Sequence, residues 1–278
     1  GLGGGAIDAA LNDFVARHHG ARHMNWLHAA WGVGASLAPA FVAAMFHAGH
    51  SFRAAYRVLA LVELGLGVSF VLTRNAWVTA AGPETPRTAG PTGRWSWAHT
   101  ARVATFFCYA GVEAGVGLWS ASVLVATRGA SPARAGGAVA LYWGGLTVGR
   151  IVVGALVERL GPRRMLRANL LVGCVALGAL STPSLPLLAA EVLLPCLGFA
   201  LGPVYPLVMH DTPHRFPGPD GVRLVGYQVA AASAGVASLP WLLGATARAT
   251  SLLVVPPLAL VLLVVVSALV SRSVEQAS

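Results

Sequence analysis

Long apolar runs, repeated along almost the whole chain, constrain this sequence more than any other feature. A helix that crosses a bilayer needs about 20 mostly apolar residues. Nine segments meet or approach that length: 1–16, 25–47, 53–73, 103–127, 133–157, 166–182, 185–209, 223–247 and 251–271. Hydrophobic residues make up 56% of the chain and charged residues only 10%, against about 25% charged in a soluble domain. The expected fold class is therefore all-α, a polytopic membrane protein of about nine transmembrane helices.

The basic residues are all arginine, and the formal net charge is +9. A nucleic-acid binder would gather such charge into one patch. Here the arginines fall in short clusters between apolar runs, the pattern of membrane loops, so nucleic acid is not an expected partner. One set of alternate loops holds Arg17, Arg22, Arg74, Arg87, Arg94, Arg102, Arg159, Arg163, Arg164, Arg167, Arg215, Arg223 and Arg272; the other holds Arg53, Arg57, Arg128, Arg134 and Arg248. Cytoplasmic loops carry the excess. The reading is a cytoplasmic C-terminus in the cell's inner (plasma) membrane. The polar, Pro- and Gly-rich stretch 74–101 is then a cytoplasmic linker.

The most specific local signal lies between the fifth and sixth runs. Gly149-Arg150 is followed by Gly154-Ala155-Leu156-Val157-Glu158-Arg159-Leu160-Gly161-Pro162-Arg163-Arg164. Gly154 lets helices approach closely, Glu158 at a helix end can pair with an arginine across a gap, and Gly161 allows a sharp turn. The order resembles the loop signature of the major facilitator superfamily, G-x-L-x-D-R-x-G-R-R, with Glu158 in the acidic place and Pro162 in one basic place. Arg150, Gly154, Glu158, Arg159, Gly161 and Arg163 are accordingly the expected gating residues.

Further stretches resemble the fucose:proton symporter family, and more closely its glucose/mannose:proton branch. They are Gly1 to Asn12, Met24 to Ala29, Tyr109 to Gly115, Leu141 to Gly144 and Gly202 to Pro206. The resemblance implies the major facilitator fold, with the first run here matching the fourth helix of a twelve-helix plan. By that plan residues 1–73 are a partial N-terminal half of three helices, 74–101 the linker, and 102–278 a six-helix C-terminal half. An N-terminally truncated chain is the expectation, and a genuine nine-helix protein the alternative.

Acids inside the apolar runs point to the chemistry. A charged carboxylate at the bilayer centre costs about 2.5–3.5 kcal/mol on insertion scales, so one that is kept usually faces a cavity or a partner. Asp8 and Glu113 are the expected proton-coupling residues. Asp8 and Asn12 share a helix face, and the resemblance implies a substrate and proton site there, with Asp8 where the family has Glu. Glycines 111, 115 and 117 thin the helix around Glu113, for close packing or for a ligand. Glu63 and Glu191 read as structural.

A sugar site combines hydrogen-bonding groups with aromatic faces. The candidates are Asn12, Asn25, His28, Trp119, Tyr142, Trp143 and Gln228; His28 stands where the family pattern has Gln. Cys108, Cys174 and Cys196 lie far apart in apolar runs and read as small buried residues. His18, His19 and His23 cluster in an arginine-containing loop and are not expected to bind metal. No cofactor motif is present. The expected function is secondary transport of a small polar solute, a monosaccharide, coupled to protons by alternating access, in a monomer. A drug efflux transporter and a non-transporting membrane scaffold or sensor are the alternatives; an enzyme is not expected.

Overall fold

The computed structural model describes residues 2–76 and 95–275, and every regular element among the described residues is helical. In chain order these are α1 (Leu2–His18), α2 (Ala21–His47), α3 (Phe52–Leu72), α4 (Trp97–Arg128), α5 (Pro132–Leu160), α6 (Pro162–Leu180), α7 (Leu187–Leu201), α8 (Val204–Arg215), α9 (Pro219–Ala249) and α10 (Val255–Glu275), with a 3₁₀ turn at Leu252–Val254 before α10. The rods α3, α4, α5, α7 with α8, α9, and the 3₁₀ turn with α10 are long and apolar enough to cross a membrane. α1 is only 17 residues long and α6 opens with Arg163, Arg164 and Arg167. In lipid the helix is favoured because its ladder satisfies the backbone without water.

Several helices extend past the apolar run that announced them, because capping groups lie outside the run. α4 starts at Trp97 rather than 103, where the Ser96 backbone N–H donates to His99 Nδ1 at 3.1 Å. α5 starts behind Ser131, whose hydroxyl accepts from the Arg134 N–H at 3.3 Å, with Pro132 in the first turn. Such caps satisfy donors that the helix itself leaves orphaned. The seventh run, expected as one span over 185–209, is two helices that meet at Gly202-Pro203. Of the expected linker, residues 77–94 lie outside the described residues.

Packing divides the chain into two units, residues 1–29 with 89–278, and residues 30–88. In the second, Gly49 takes a left-handed φ of 80° between α2 and α3. Ser51 caps α3, and most of α3 is exposed apolar surface, including Leu61, Leu64, Leu66 and Val71. Glu63 makes no hydrogen bond or ion pair among the described residues.

In the first unit α4 packs along α9 and α10, α5 along α7, α6 against α7 and α10, and α1 against α8 and α9. The α5–α7 contact is backbone on backbone. A Cβ at Gly145 would stand 2.2 Å from the Pro195 carbonyl oxygen, at Gly149 2.2 Å from that of Phe199, and at Gly198 2.0 Å from that of Tyr142. Helices in lipid associate through such small-residue contacts, since the hydrophobic effect between them is lost. The resulting core includes Phe106, Tyr109, Tyr142, Leu194, Leu197 and Leu201, all nearly inaccessible.

Candidate functional site

Glu113 lies midway along α4, on the face turned towards α5 and α7. Tyr109, one turn earlier, places its hydroxyl 2.5 Å from Glu113 Oε2 and 2.7 Å from the Leu201 carbonyl oxygen. Tyr142 on α5 donates to the Glu113 backbone carbonyl at 3.0 Å. Arg150, two turns further along α5, brings Nη2 to 3.5 Å from Glu113 Oε2. Its Nε donates to the Gly202 carbonyl at 3.0 Å and its Nη1 to the His28 carbonyl at 3.1 Å.

The Gly202 acceptor has a local cause. Its carbonyl would normally take the N–H four residues on, but that residue is Pro206, which has none. The break in the α7–α8 rod therefore leaves an oxygen in the apolar interior, and Arg150 fills it. The close α5–α7 contact is what allows the reach, since Gly149 removes the side chain that would hold the helices apart.

From His28 the network continues into α1. His28 Nε2 lies 2.9 Å from Asn12 Oδ1. A carboxamide oxygen only accepts, so the ring donates and carries its proton on Nε2. The Asn12 amide donates onward to Asp8, to Oδ1 and to the backbone oxygen, both at 2.9 Å. The His28 ring lies 4.8 Å from that of Tyr205, which meets Phe106 edge-on at 4.6 Å. Tyr205 also lies 6.3 Å from the Tyr109 ring, so Phe106, Tyr109 and Tyr205 form one aromatic cluster. Asn12 is fully buried, whereas Asp8 is exposed.

The structure thus brings Asp8, Asn12, His28, Tyr142 and Glu113 into one network, and it adds Arg150 to them. Arg150 stands well inside α5, remote from the loop that follows that helix. The remaining candidates lie elsewhere. Trp119 donates to the Pro240 carbonyl at 2.8 Å and covers Gly244. Trp143 covers Gly117, so that glycine serves packing, as Gly111 does under Leu239. Gln228, fully buried, donates to Thr212 at 2.9 Å. Asn25 donates to the Ala21 carbonyl at 2.9 Å, and its buried Oδ1 has no partner among the described residues.

The other loop-signature residues gather at the arginine-rich end. Glu158 pairs with Arg22 at 2.7 Å. A Cβ at Gly154 would meet Asn25 and Trp26 at 3.0 Å, so α2 and α5 are already close there. Gly161 takes φ 87° between α5 and α6, and Arg159 and Arg163 are exposed. Glu191 pairs with Arg134 at 2.6 Å. His18, His19 and His23 form no metal-binding cluster among the described residues.

Two tyrosines escaped the sequence reading. Tyr109 could have been found, because it stands four residues before Glu113 on one helix face. Tyr205 joins the site only through the α7–α8 break, and spacing along the chain does not reveal that.

An all-helical membrane bundle with a buried carboxylate–guanidinium network inside it is the architecture of a secondary transporter, which moves a small molecule across a bilayer. The sequence profile of the Major Facilitator Superfamily matches residues 1–245, and the chain belongs to that superfamily. Membership points to a transporter rather than an enzyme and makes the chain a multi-pass membrane protein. Among solved structures, the chain is similar to the Major Facilitator Superfamily transporter FucP, crystallised in its outward conformation, with a TM-score of 0.66 at 16% identity. The match covers 95% of this chain and 72% of that one, and it shows a shared fold. No curated protein matches the sequence.

Proposed function

We propose that this protein carries a small polar solute, a monosaccharide, together with protons, by alternating access. In this reading residues 1–73 and 102–278 belong to two helical halves joined by 74–101. The protein works as a monomer in the inner (plasma) membrane with its C-terminus in the cytoplasm. Asp8 and Glu113 are the proton carriers. Asn12 and His28 supply hydrogen bonds to hydroxyls, and the tyrosine faces beside them suit the apolar faces of a sugar ring. Glu158, Arg159, Gly161 and Arg163 form the gate.

The observation that carries the proposal is the proton inventory at Glu113. Tyr109 has one hydroxyl hydrogen but stands within bonding distance of two oxygens. The Leu201 carbonyl can only accept. Both contacts are hydrogen bonds together when Glu113 is protonated and donates to Tyr109, which donates to Leu201. When Glu113 is ionised, Tyr109 can serve only one of the two, and Arg150 stands ready for the charge. One geometry thus suits both protonation states, as a group that takes up and releases a proton requires.

Glu113→Gln is the test. It keeps size and hydrogen bonding and fixes a neutral side chain. Accumulation driven by a pH gradient should be abolished, while exchange of labelled for unlabelled solute survives, since exchange needs no net proton release. Asp8→Asn is the parallel experiment. Undiminished proton-driven accumulation in both variants would overturn the coupling role.

A further inference from the structure

At the arginine-rich end of the first unit, α4, α6, α8 and α10 line a narrow cleft with a volume of about 30 Å³. Its polar lining is Arg102, Arg163, Arg167, Arg215 and Asp211, and its apolar lining includes Leu166, Leu207 and Val270. Four guanidinium groups therefore share it with one carboxylate. Asp211 is already engaged by both Arg102 and Arg215. Arg163 and Arg167 make no ion pair among the described residues.

Two independent features are unexplained by the protein alone. The first is the start of α6. It carries Pro162 in its first turn, no acidic residue there, and no side-chain cap from Gly161. The positive end of a helix favours anions, and its free N–H groups point at whatever lies ahead of it. Arg163 and Arg167 are the opposite of what that end prefers. The second is Arg102, which lines the cleft, is only 4% exposed, and whose buried Nε has no hydrogen-bond partner among the described residues. A buried guanidinium donor without an acceptor is unfavourable and marks a place for one. The bias of arginine towards one membrane side accounts for the side on which these residues lie. It does not account for their convergence on one cleft.

We propose that this cleft binds a phosphate group, carried by an anionic lipid headgroup. Guanidinium groups match phosphate oxygens bidentately, and Arg163 and Arg167, which line the cleft without an ion pair among the described residues, are the donors left for them. The lipid source fits the apolar side of the lining, which a glycerol backbone would cover, and the place of the cleft at helix ends. Free phosphate shares the headgroup chemistry and differs only in lacking that apolar contact.

The test measures thermal unfolding of the full chain in detergent during titration with phosphatidylglycerol, phosphatidylcholine or inorganic phosphate. Phosphatidylglycerol should raise the midpoint saturably, and phosphatidylcholine, whose choline offsets the phosphate, should not. The double substitution Arg163→Gln with Arg167→Gln should raise the half-saturating phosphatidylglycerol concentration about tenfold or more. Arg164→Gln, outside the cleft lining, should leave it unchanged. A rise with inorganic phosphate as large as that with lipid, lost in the double variant, would support the site and make its ligand soluble. No rise with either ligand, or equal rises in wild type and double variant, would overturn the proposal.

Discussion

Arg150 holds its Nη2 3.5 Å from Glu113 Oε2 with the two side chains 3% and 14% exposed, and the same guanidinium bonds the carbonyls of Gly202 and His28. One side chain therefore ties α4, α2 and the broken α7–α8 rod to α5. A lysine could not make the three contacts, because it offers a point charge instead of a planar fork.

Arg150→Lys should accordingly lower solute transport at least about tenfold while keeping the charge. Arg150→Gln should also destabilise the fold, by about 3 kcal/mol, since it leaves a buried carboxylate uncompensated. Thermal unfolding and uptake in proteoliposomes check the pair. Wild-type uptake by the lysine variant would show that charge alone suffices.

Tyr109→Phe keeps the ring and removes one hydroxyl. The expected stability change is small, about 1 kcal/mol. Proton-driven accumulation should fall well below that of the wild type, with solute exchange largely kept, because the variant lacks the hydroxyl that accepts from a protonated Glu113 and donates to an ionised one. Equal losses in accumulation and exchange would instead assign Tyr109 to solute binding.

The α5–α7 contact predicts a contrast between two glycines. A Cβ at Gly198 would sit 2.0 Å from the Tyr142 backbone oxygen, which cannot rotate away, whereas nothing among the described residues lies within 4 Å of one at Gly144. Gly198→Ala should destabilise by about 1–3 kcal/mol, and Gly144→Ala should stay within about 0.5 kcal/mol. Chemical or thermal unfolding in the same detergent compares them directly.

Arg22 and Glu158 are both partly exposed, so their pair should contribute at most about 1 kcal/mol to stability. Its expected role is to hold the ends of α2 and α5 together during part of the cycle. Arg22→Ala should slow turnover with little change in solute affinity, and the exchange of charges, Arg22→Glu with Glu158→Arg, should restore much of the rate. An affinity loss with normal turnover would speak against a gate.

The helices were legible in the sequence because lipid leaves one solution for a long apolar run. Their ends were less so, since Ser96, Ser131 and Pro162 lie in polar segments that hydropathy alone does not parse. The site was half legible. Asp8 and Asn12 could be joined by helical spacing, and Glu113 by its isolation among apolar residues. Arg150 read as part of the loop signature that follows it, although the run 133–157 already placed it inside a helix; the sequence does not show that its side chain meets Glu113 on α4. Trp119, Trp143 and Gln228 had the right chemistry for a solute but stand over glycines or beside Thr212. Residue type alone does not separate those settings from a solute contact.

Proline within a membrane rod is commonly regarded as damage that the fold tolerates. At Pro206 repair would be the damage. Pro206→Ala would return an N–H beside the Gly202 oxygen and restore one rung of the ladder, while Pro203 would still leave the Phe199 oxygen without its own. Arg150 Nε would then share its acceptor with a donor that has no entropy to surrender, and the guanidinium would be freer to turn towards Glu113. Such a variant should unfold at a higher temperature and transport more slowly.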